Sequence, residues 1–410
     1  MNAVFASRSL ALETHLPEAL AFLKRLVAVN SFTGNRAGVL QSAEIVAEQF
    51  QKLGFCAEKV PAENPAFGDH LFLNRPGERE AGLMLVTHLD TVYPAEEEAK
   101  NRFEWFAEGD RIYGPGVNDN KGGTAMIWLV LATLREAAPD VFEGTSWLVA
   151  ANAAEEELVR DFPGICRVRV PRNCRAALIF EACGGSGRGL TLVRCRKGSA
   201  NLRVTVEGRG AHAGSGHREG ANAIVEMARL VEHMAEMTDY SRDLTVNVGS
   251  IAGGGSSNRV PHQAECSVNI RAFDESVLQS AIDAIFSLRD GPAAVRAESD
   301  GFSCRISVEL LSRNPSWRQN PETDALIEVW MRSAKRIGRS LFAESRGGLS
   351  DGNYLSQFLP SLDGLGPFGL RGHSSERSSD GSKVPEYVAT SSFLEMGAIN
   401  VAAIRELMSA

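Results

Sequence analysis

Four short stretches carry side chains able to hold a cation or move a proton. Val86-Thr87-His88-Leu89-Asp90 closes an apolar run and sets His88 two residues before Asp90, so in extended chain both point to one side. A carboxylate beside a histidine fixes the imidazole tautomer, as a metal-ligating histidine requires, although the pair is also an ordinary strand-end hydrogen bond. Asp119 lies between Gly114-Pro115-Gly116 and a helix opening on Gly122-Gly123, where capping alone would explain it. The glycines imply close approach of backbone to something, and Lys121-Gly122 is not the Lys-Ser/Thr of a phosphate loop. Ala150-Ala151-Asn152-Ala153-Ala154-Glu155-Glu156-Glu157 places three acids side by side, which is either a solvated loop or the neighbourhood of positive charge. Glu181 ends the run Ala176–Phe180.

These residues need a frame. Up to about residue 190 the chain alternates helical and strand patterns: a helix from Leu40 to Leu53 closed by Gly54, a buried strand Gly82–Thr87, a helix Gly122–Ala137, and strands Thr145–Ala151 and Ala176–Phe180. That alternation predicts an α/β central sheet flanked by helices. His88, Asp119, Glu156 and Glu181 then fall at or beyond strand ends, the rim where open α/β sheets bind ligands. Imidazole and carboxylates suit zinc, and an acid shared between two ions would suit a paired site.

The middle of the chain reads differently. Strands at Ser199–Glu207, Leu244–Ile251, Ala264–Ala272 and Cys304–Leu310 enclose helices at Ala221–Met237 and Val277–Leu288, the β-α-β-β-α-β order of a ferredoxin-like α/β sandwich. In the first helix Ile224, Met227, Ala228, Val231 and Met234 form the expected core stripe. Helical patterns return near 322–336 and 389–408, so the predicted domains are 1–194, an insert at 195–311, and 312–410.

Composition narrows the function class. A chain of 410 residues with 44% hydrophobic and 23% charged residues is an ordinary soluble globular protein of two or three domains. Net charge −8 excludes the basic footprint of nucleic-acid or anionic-membrane binders. No apolar run approaches the roughly 18 residues of a membrane span. The first twenty residues lack a basic leader with a long apolar core, and the seven cysteines are odd in number with no C-x-x-C pair. Reduced thiols in a cytoplasmic protein are the expectation.

The ordered set Thr87-His88-Leu89-Asp90-Thr91, Gly114-Pro115-Gly116-Val117-Asn118-Asp119-Asn120-Lys121-Gly122-Gly123, Asn152-Ala153-Ala154-Glu155-Glu156 and Leu178-Ile179-Phe180-Glu181 resembles the di-zinc metallopeptidases of the glutamate carboxypeptidase and aminoacylase group. The resemblance covers nearly the whole chain and includes an inserted lid, or dimerisation, domain. It implies His88 and Glu181 on one zinc, Glu156 on the other, and Asp119 bridging both, with Asp90 orienting His88. The fifth ligand is a C-terminal histidine, matched by His373, the only histidine after His262. The resemblance also implies a cis Asp119–Asn120 peptide, two Zn2+ per subunit (with Co2+ or Mn2+ as possible substitutes), and Glu155 as general base on a bridging water.

From the insert, Gly208-Arg209-Gly210-Ala211-His212-Ala213-Gly214 resembles the family's G-x-x-x-H-A-G element, whose histidine stabilises the oxyanion from the neighbouring subunit; a surface-loop histidine is the plainer reading. Asn258 matches a substrate-holding asparagine, and Gly347-Gly348-Leu349-Ser350-Asp351 matches a loop that brings Gly348 and Ser350 to the substrate. Arg271 lies on the polar side of its strand, opposite Cys266, Val268 and Ile270, either as an exposed arginine or as a receptor for a substrate carboxylate. Two departures stand out. Ala154 replaces an acid usual in the family, which leaves the register of Glu155-Glu156-Glu157 open by one. Residues 157–175 are rich in arginine (Arg160, Arg167, Arg169, Arg172 and Arg175).

The sequence therefore implies a cytoplasmic, homodimeric zinc hydrolase that cleaves an amide next to a free carboxylate in a small-molecule substrate, without nucleic acid or membrane. A glutamate-carboxypeptidase-like exopeptidase leads, an N-acyl-amino-acid deacylase is the alternative, and a non-catalytic binding protein on the same fold is the alternative from another class.

Overall fold

A computed structural model describes residues 3–157, 161–186 and 189–409; Arg160 of the arginine-rich stretch lies outside the described residues. Contacts divide the chain into two units: Met1–Arg194 with Gln319–Ser345 and Ser350–Ala410, and Cys195–Arg318 with Arg346–Leu349.

In the first unit the apolar run Gly82–His88 is buried along its whole length because it lies inside a six-stranded sheet. It runs parallel to Ser146–Asn152 on one side and to Cys174–Ile179 on the other. Ser361–Leu362 adds a parallel edge, while Asp69–Arg75 and Cys56–Pro61 complete the opposite edge antiparallel. Each fully buried Leu or Val, such as Leu83, Leu85, Val149 and Leu178, stabilises the sheet by roughly 1.5–3 kcal/mol. The helix Lys121–Ala137 is buried from Lys121 through Leu134 and packs against Ala3–Val27 and Thr390–Ser409. Helix Arg36–Gln51 starts where the Asn35 side chain accepts the Gly38 amide, and Gly54 follows its end at φ +83°, the left-handed turn that favours glycine. No described helix is long and apolar enough to cross a membrane.

Parallel pairing has one consequence for chemistry. His88 lies opposite Asn152 and Val86 opposite Ile179, so the chain leaves all three central strands on the same rim. Glu155, Glu156 and Glu181 follow those exits within a few residues.

The second unit is a four-stranded antiparallel sheet in the order Thr245–Gly253, Gln263–Ala272, Gly198–Glu207, Arg305–Asn314, with helices Ala223–Glu236 and Glu275–Ser287. Alternation buries Leu202, Val204 and Val206 with Cys266, Val268 and Ile270 in one core. The expected helix stripe is rotated. Met227 and Met234 are buried with Ala223 and Leu230, but Ile224 and Ala228 are exposed and Val231 is only partly buried. Glu226 takes the place on the buried side because its Oε2 accepts the Val295 amide at 2.7 Å. The helix also starts at Ala223, since the Asn222 side chain caps it through the Ile224 and Val225 amides.

Candidate metal centre

The strand-end residues of the first unit converge. His88 Nε2 lies 3.0 Å from Asp119 Oδ1 and 3.7 Å from Glu181 Oε1. His373 Nε2 lies 3.3 Å from Asp119 Oδ2 and 3.3 Å from Glu156 Oε2. Two donor groups result, His88–Asp119–Glu181 and Asp119–Glu156–His373, with Asp119 common to both and one carboxylate oxygen turned to each histidine. Glu155 is buried and Glu157 exposed. The Asp119–Asn120 peptide is cis. Gly123 explains the glycine-rich approach: a Cβ there would meet the Phe180 carbonyl and Asn120 Oδ1, both at 2.0 Å.

Behind these groups lies a layer of buried acceptors. Asp90, fully buried, accepts the Glu155 amide on Oδ1 at 3.1 Å and the Glu156 amide on Oδ2 at 3.2 Å, with the Thr33 hydroxyl at 2.7 Å. It thus fixes the backbone of the acid triplet, while His88 Nδ1 sits 3.1 Å from the Asp90 carbonyl and 3.3 Å from its Oδ1. Glu386 accepts the Asn118 and Asp119 amides at 2.7 and 2.9 Å and the Tyr93 hydroxyl at 2.5 Å. The Asn152 side chain donates to Asp351 at 2.9 Å, and the Asn120 side chain to Glu181 at 2.9 Å. Lys121 is buried and donates to the Val29 carbonyl at 3.0 Å; burial pulls it down to about 8 against the pull of Glu98 and Glu386. Sequence reading missed Glu386, Thr33, Asn152 and Asp351. Asn152 and Asp351 lie inside recognised motifs, and Glu386 sits in the Pro385-Glu386-Tyr387 stretch, where a lone acid among apolar residues is the available signal.

The electrostatics call for a cation. Burial, with nearby Asp351 and Glu181 adding repulsion against the attraction of His88, pushes Glu155 well above the usual carboxylate range. Burial and Asp119 raise Glu156, and burial raises Asp351 and Glu386 each to about 7. Burial opposes charge on His88, yet Asp119 and Asp90 outweigh it and hold its pKa well above the usual histidine range. Hydrogen bonds to Asp119 and Glu156 raise His373 to about 11. Glu156 Oε1 is buried with no hydrogen-bond partner among the described residues. A cluster of buried acids with an orphaned oxygen, sharing one carboxylate between two histidines, fits divalent metal of the nitrogen- and oxygen-loving kind. The seven cysteines are free, and none belongs to a donor group among the described residues.

In the second unit, His212 is exposed and its Nδ1 accepts the Gly214 and Ser215 amides, both at 3.1 Å, so the neutral ring carries its proton on Nε2. Asn258 is exposed; its Oδ1 accepts the Ser256 hydroxyl at 2.7 Å and its carbonyl the Ala213 amide at 2.9 Å. Arg271 is half-buried, and the Gly348 carbonyl accepts from Arg196 at 3.1 Å. Ser350, in the first unit, is buried: its hydroxyl donates to Asp363 at 2.9 Å and accepts the Gly352 amide at 3.1 Å. Those bonds tie the hydroxyl to its own loop.

Proteins similar to this chain are peptidases and deacylases, hydrolases acting on C–N bonds. Residues 195–294 match the peptidase dimerisation domain. Carboxypeptidase G2 of Pseudomonas sp. (strain RS-16) is 26% identical over 390 residues, 93% of this chain and 90% of the relative. Succinyl-diaminopimelate desuccinylase of Gluconacetobacter diazotrophicus is 27% identical over 410 residues, 95% of this chain and 97% of the relative. The solved structure of aminopeptidase PepT from Bacillus cereus shares the fold at a TM-score of 0.74 and 18% identity, covering 96% of this chain and 99% of that one. With that dimerisation domain and similarity to these enzymes along nearly its whole length, the chain resembles the M20 metallopeptidases, the group its motifs point to.

Proposed function

We propose that the protein is a two-zinc exopeptidase that cleaves an amide bond adjacent to a free carboxylate, in the manner of a glutamate carboxypeptidase. The observation that carries the reading is the divided carboxylate of Asp119, with Oδ1 3.0 Å from His88 and Oδ2 3.3 Å from His373. His88, Asp119 and Glu181 would hold one ion, and Asp119, Glu156 and His373 the other. When bound, the metals supply Lewis acidity toward the scissile carbonyl and the attacking water. The Glu155 carboxylate accepts the proton of that water and returns it to the leaving nitrogen, so no covalent enzyme intermediate forms. Asp90 holds Glu155 in place through its amide. His212 donates a hydrogen bond from its Nε2–H to the developing oxyanion. Arg271 receives the substrate carboxylate, and Asn258 and Gly348 contact the substrate.

The same chemistry serves an N-acyl-amino-acid deacylase, and the full-length similarity to a desuccinylase favours keeping that second reading. The chain pairs as a homodimer through its second unit, where Ile224, Val225 and Ile251 stand 38%, 45% and 56% exposed. A screen of N-acyl amino acids against dipeptides ending in glutamate, with zinc, manganese or cobalt added, tests the function. Preferred release of C-terminal glutamate supports the carboxypeptidase, preferred deacylation the alternative, and turnover of neither class contradicts both.

A further inference from the structure

The open face of the second unit's sheet carries a run of polar side chains that no step above uses. Alternation that buries Val268 and Ile270 turns Asn269 and Arg271 to this face. Asn269 lies directly opposite Asn201, and Asn201 opposite Ser312. The side chains bond in one direction across three strands. Arg271 Nε donates to Asn269 Oδ1 at 3.0 Å, Asn269 Nδ2 to Asn201 Oδ1 at 2.7 Å, and Asn201 Nδ2 to Ser312 Oγ at 2.8 Å. Each amide turns its oxygen toward the arginine and its nitrogen away, so the bonds polarise one another. The run ends at a bulge, where the register shifts after Asn201 and Leu311 is left outward, 43% exposed. Bulges of this kind re-aim the side chains beside them. A second tether, Arg271 Nη1 to the Gly347 carbonyl at 2.8 Å, fixes the other end of the guanidinium. Nη2 keeps its donors free of any partner among the described residues.

We propose that Asn269 and Asn201 are positioning residues for Arg271, holding its guanidinium ready to bind a substrate carboxylate. The proposal rests on the reading of Arg271 as the carboxylate receptor. A long arginine side chain otherwise samples many rotamers, and orienting it before substrate arrives removes that ordering from the binding step. Asn269 acts on the arginine directly, and Asn201 acts by orienting the Asn269 amide.

The test compares KM for the substrate turned over in the screen with KM for its C-terminal amide counterpart. It uses the wild type, Arg271→Ala, Asn269→Ala, Asn201→Ala and the double variant Arg271→Ala/Asn269→Ala. Arg271→Ala is expected to raise KM for the acid roughly 30-fold or more while sparing the amide. Asn269→Ala should raise KM for the acid about fivefold to tenfold, with kcat and the amide unchanged, and Asn201→Ala should shift it in the same direction by less. Adding Asn269→Ala to Arg271→Ala should change nothing further. Unchanged KM in both asparagine variants while Arg271→Ala still discriminates overturns the relay and leaves the arginine's role standing. Equal losses on acid and amide in Asn269→Ala, or additive losses in the double variant, overturn it as well. An Arg271→Ala enzyme that treats acid and amide like the wild type removes the reading of Arg271, and the relay with it.

Discussion

Glu386 accepts the backbone amide of Asp119 at 2.9 Å, so a carboxylate from the C-terminal part of the chain fixes the residue common to both donor groups. Its other oxygen takes the Tyr93 hydroxyl, and its first also takes the Asn118 amide. Glu386 touches neither histidine of the donor groups in any of these bonds. It sets where the Asp119 side chain begins and adds negative charge behind it.

Glu386→Gln should therefore weaken metal binding by about 10- to 100-fold, the usual cost of losing an outer partner of a metal ligand. Competition with a chelator of known affinity measures it. Wild-type affinity in this variant would mean that Asp119 is held by other contacts.

Gly123 packs its bare Cα between Asn120 and the Phe180 carbonyl. An alanine there must displace the strand end that carries Glu181, or the Asn120 side chain that bonds it. Gly123→Ala should destabilise by about 1–3 kcal/mol through overpacking and lower the bound metal per chain. Gly164, in the helix Asp161–Arg169, has open space where a methyl group would stand. It provides the control: Gly164→Ala should be stabilising by about 0.5–1 kcal/mol. Thermal unfolding with metal analysis checks both.

His70 is fully buried, its Nδ1 accepting the Ala153 amide at 3.1 Å and its Nε2 3.2 Å from Asp161. Burial depresses its pKa below the ordinary 6.5, only partly offset by Asp161. Below pH 6.5 the unfolded chain binds a proton that the folded chain does not, so this residue makes stability fall as pH falls from 6.5 toward its folded pKa. His70→Gln should flatten the stability–pH curve in that window, as measured by denaturant unfolding from about pH 7 to about pH 5. An unchanged slope would show that His70 does not titrate in this way.

Strand periodicity located Gly82–His88, Ser146–Asn152 and Cys174–Ile179 closely because strands buried on both faces must be continuous apolar runs. The helix Ala223–Glu236 was misread in its facing because Glu226, a charged residue, occupies the core side with a backbone amide as partner. Periodicity counts apolar residues and does not register a satisfied buried acid. At the candidate metal centre, His88, Asp119 and Glu156 follow strand exits or a glycine-rich turn, features that local sequence displays. Glu386 and Thr33 act through backbone amides and a carboxylate far away in sequence, and no local pattern marks such bonds.

The central claim is that Glu155 moves the proton while Glu156 belongs to the metal. Glu155→Gln, measured for bound metal and turnover in the same preparation, tests it most directly. The expected result is wild-type metal content with kcat reduced by about 10²- to 10⁴-fold, the contribution of a positioned general base. Turnover near that of the wild type, with metal content unchanged, would contradict it.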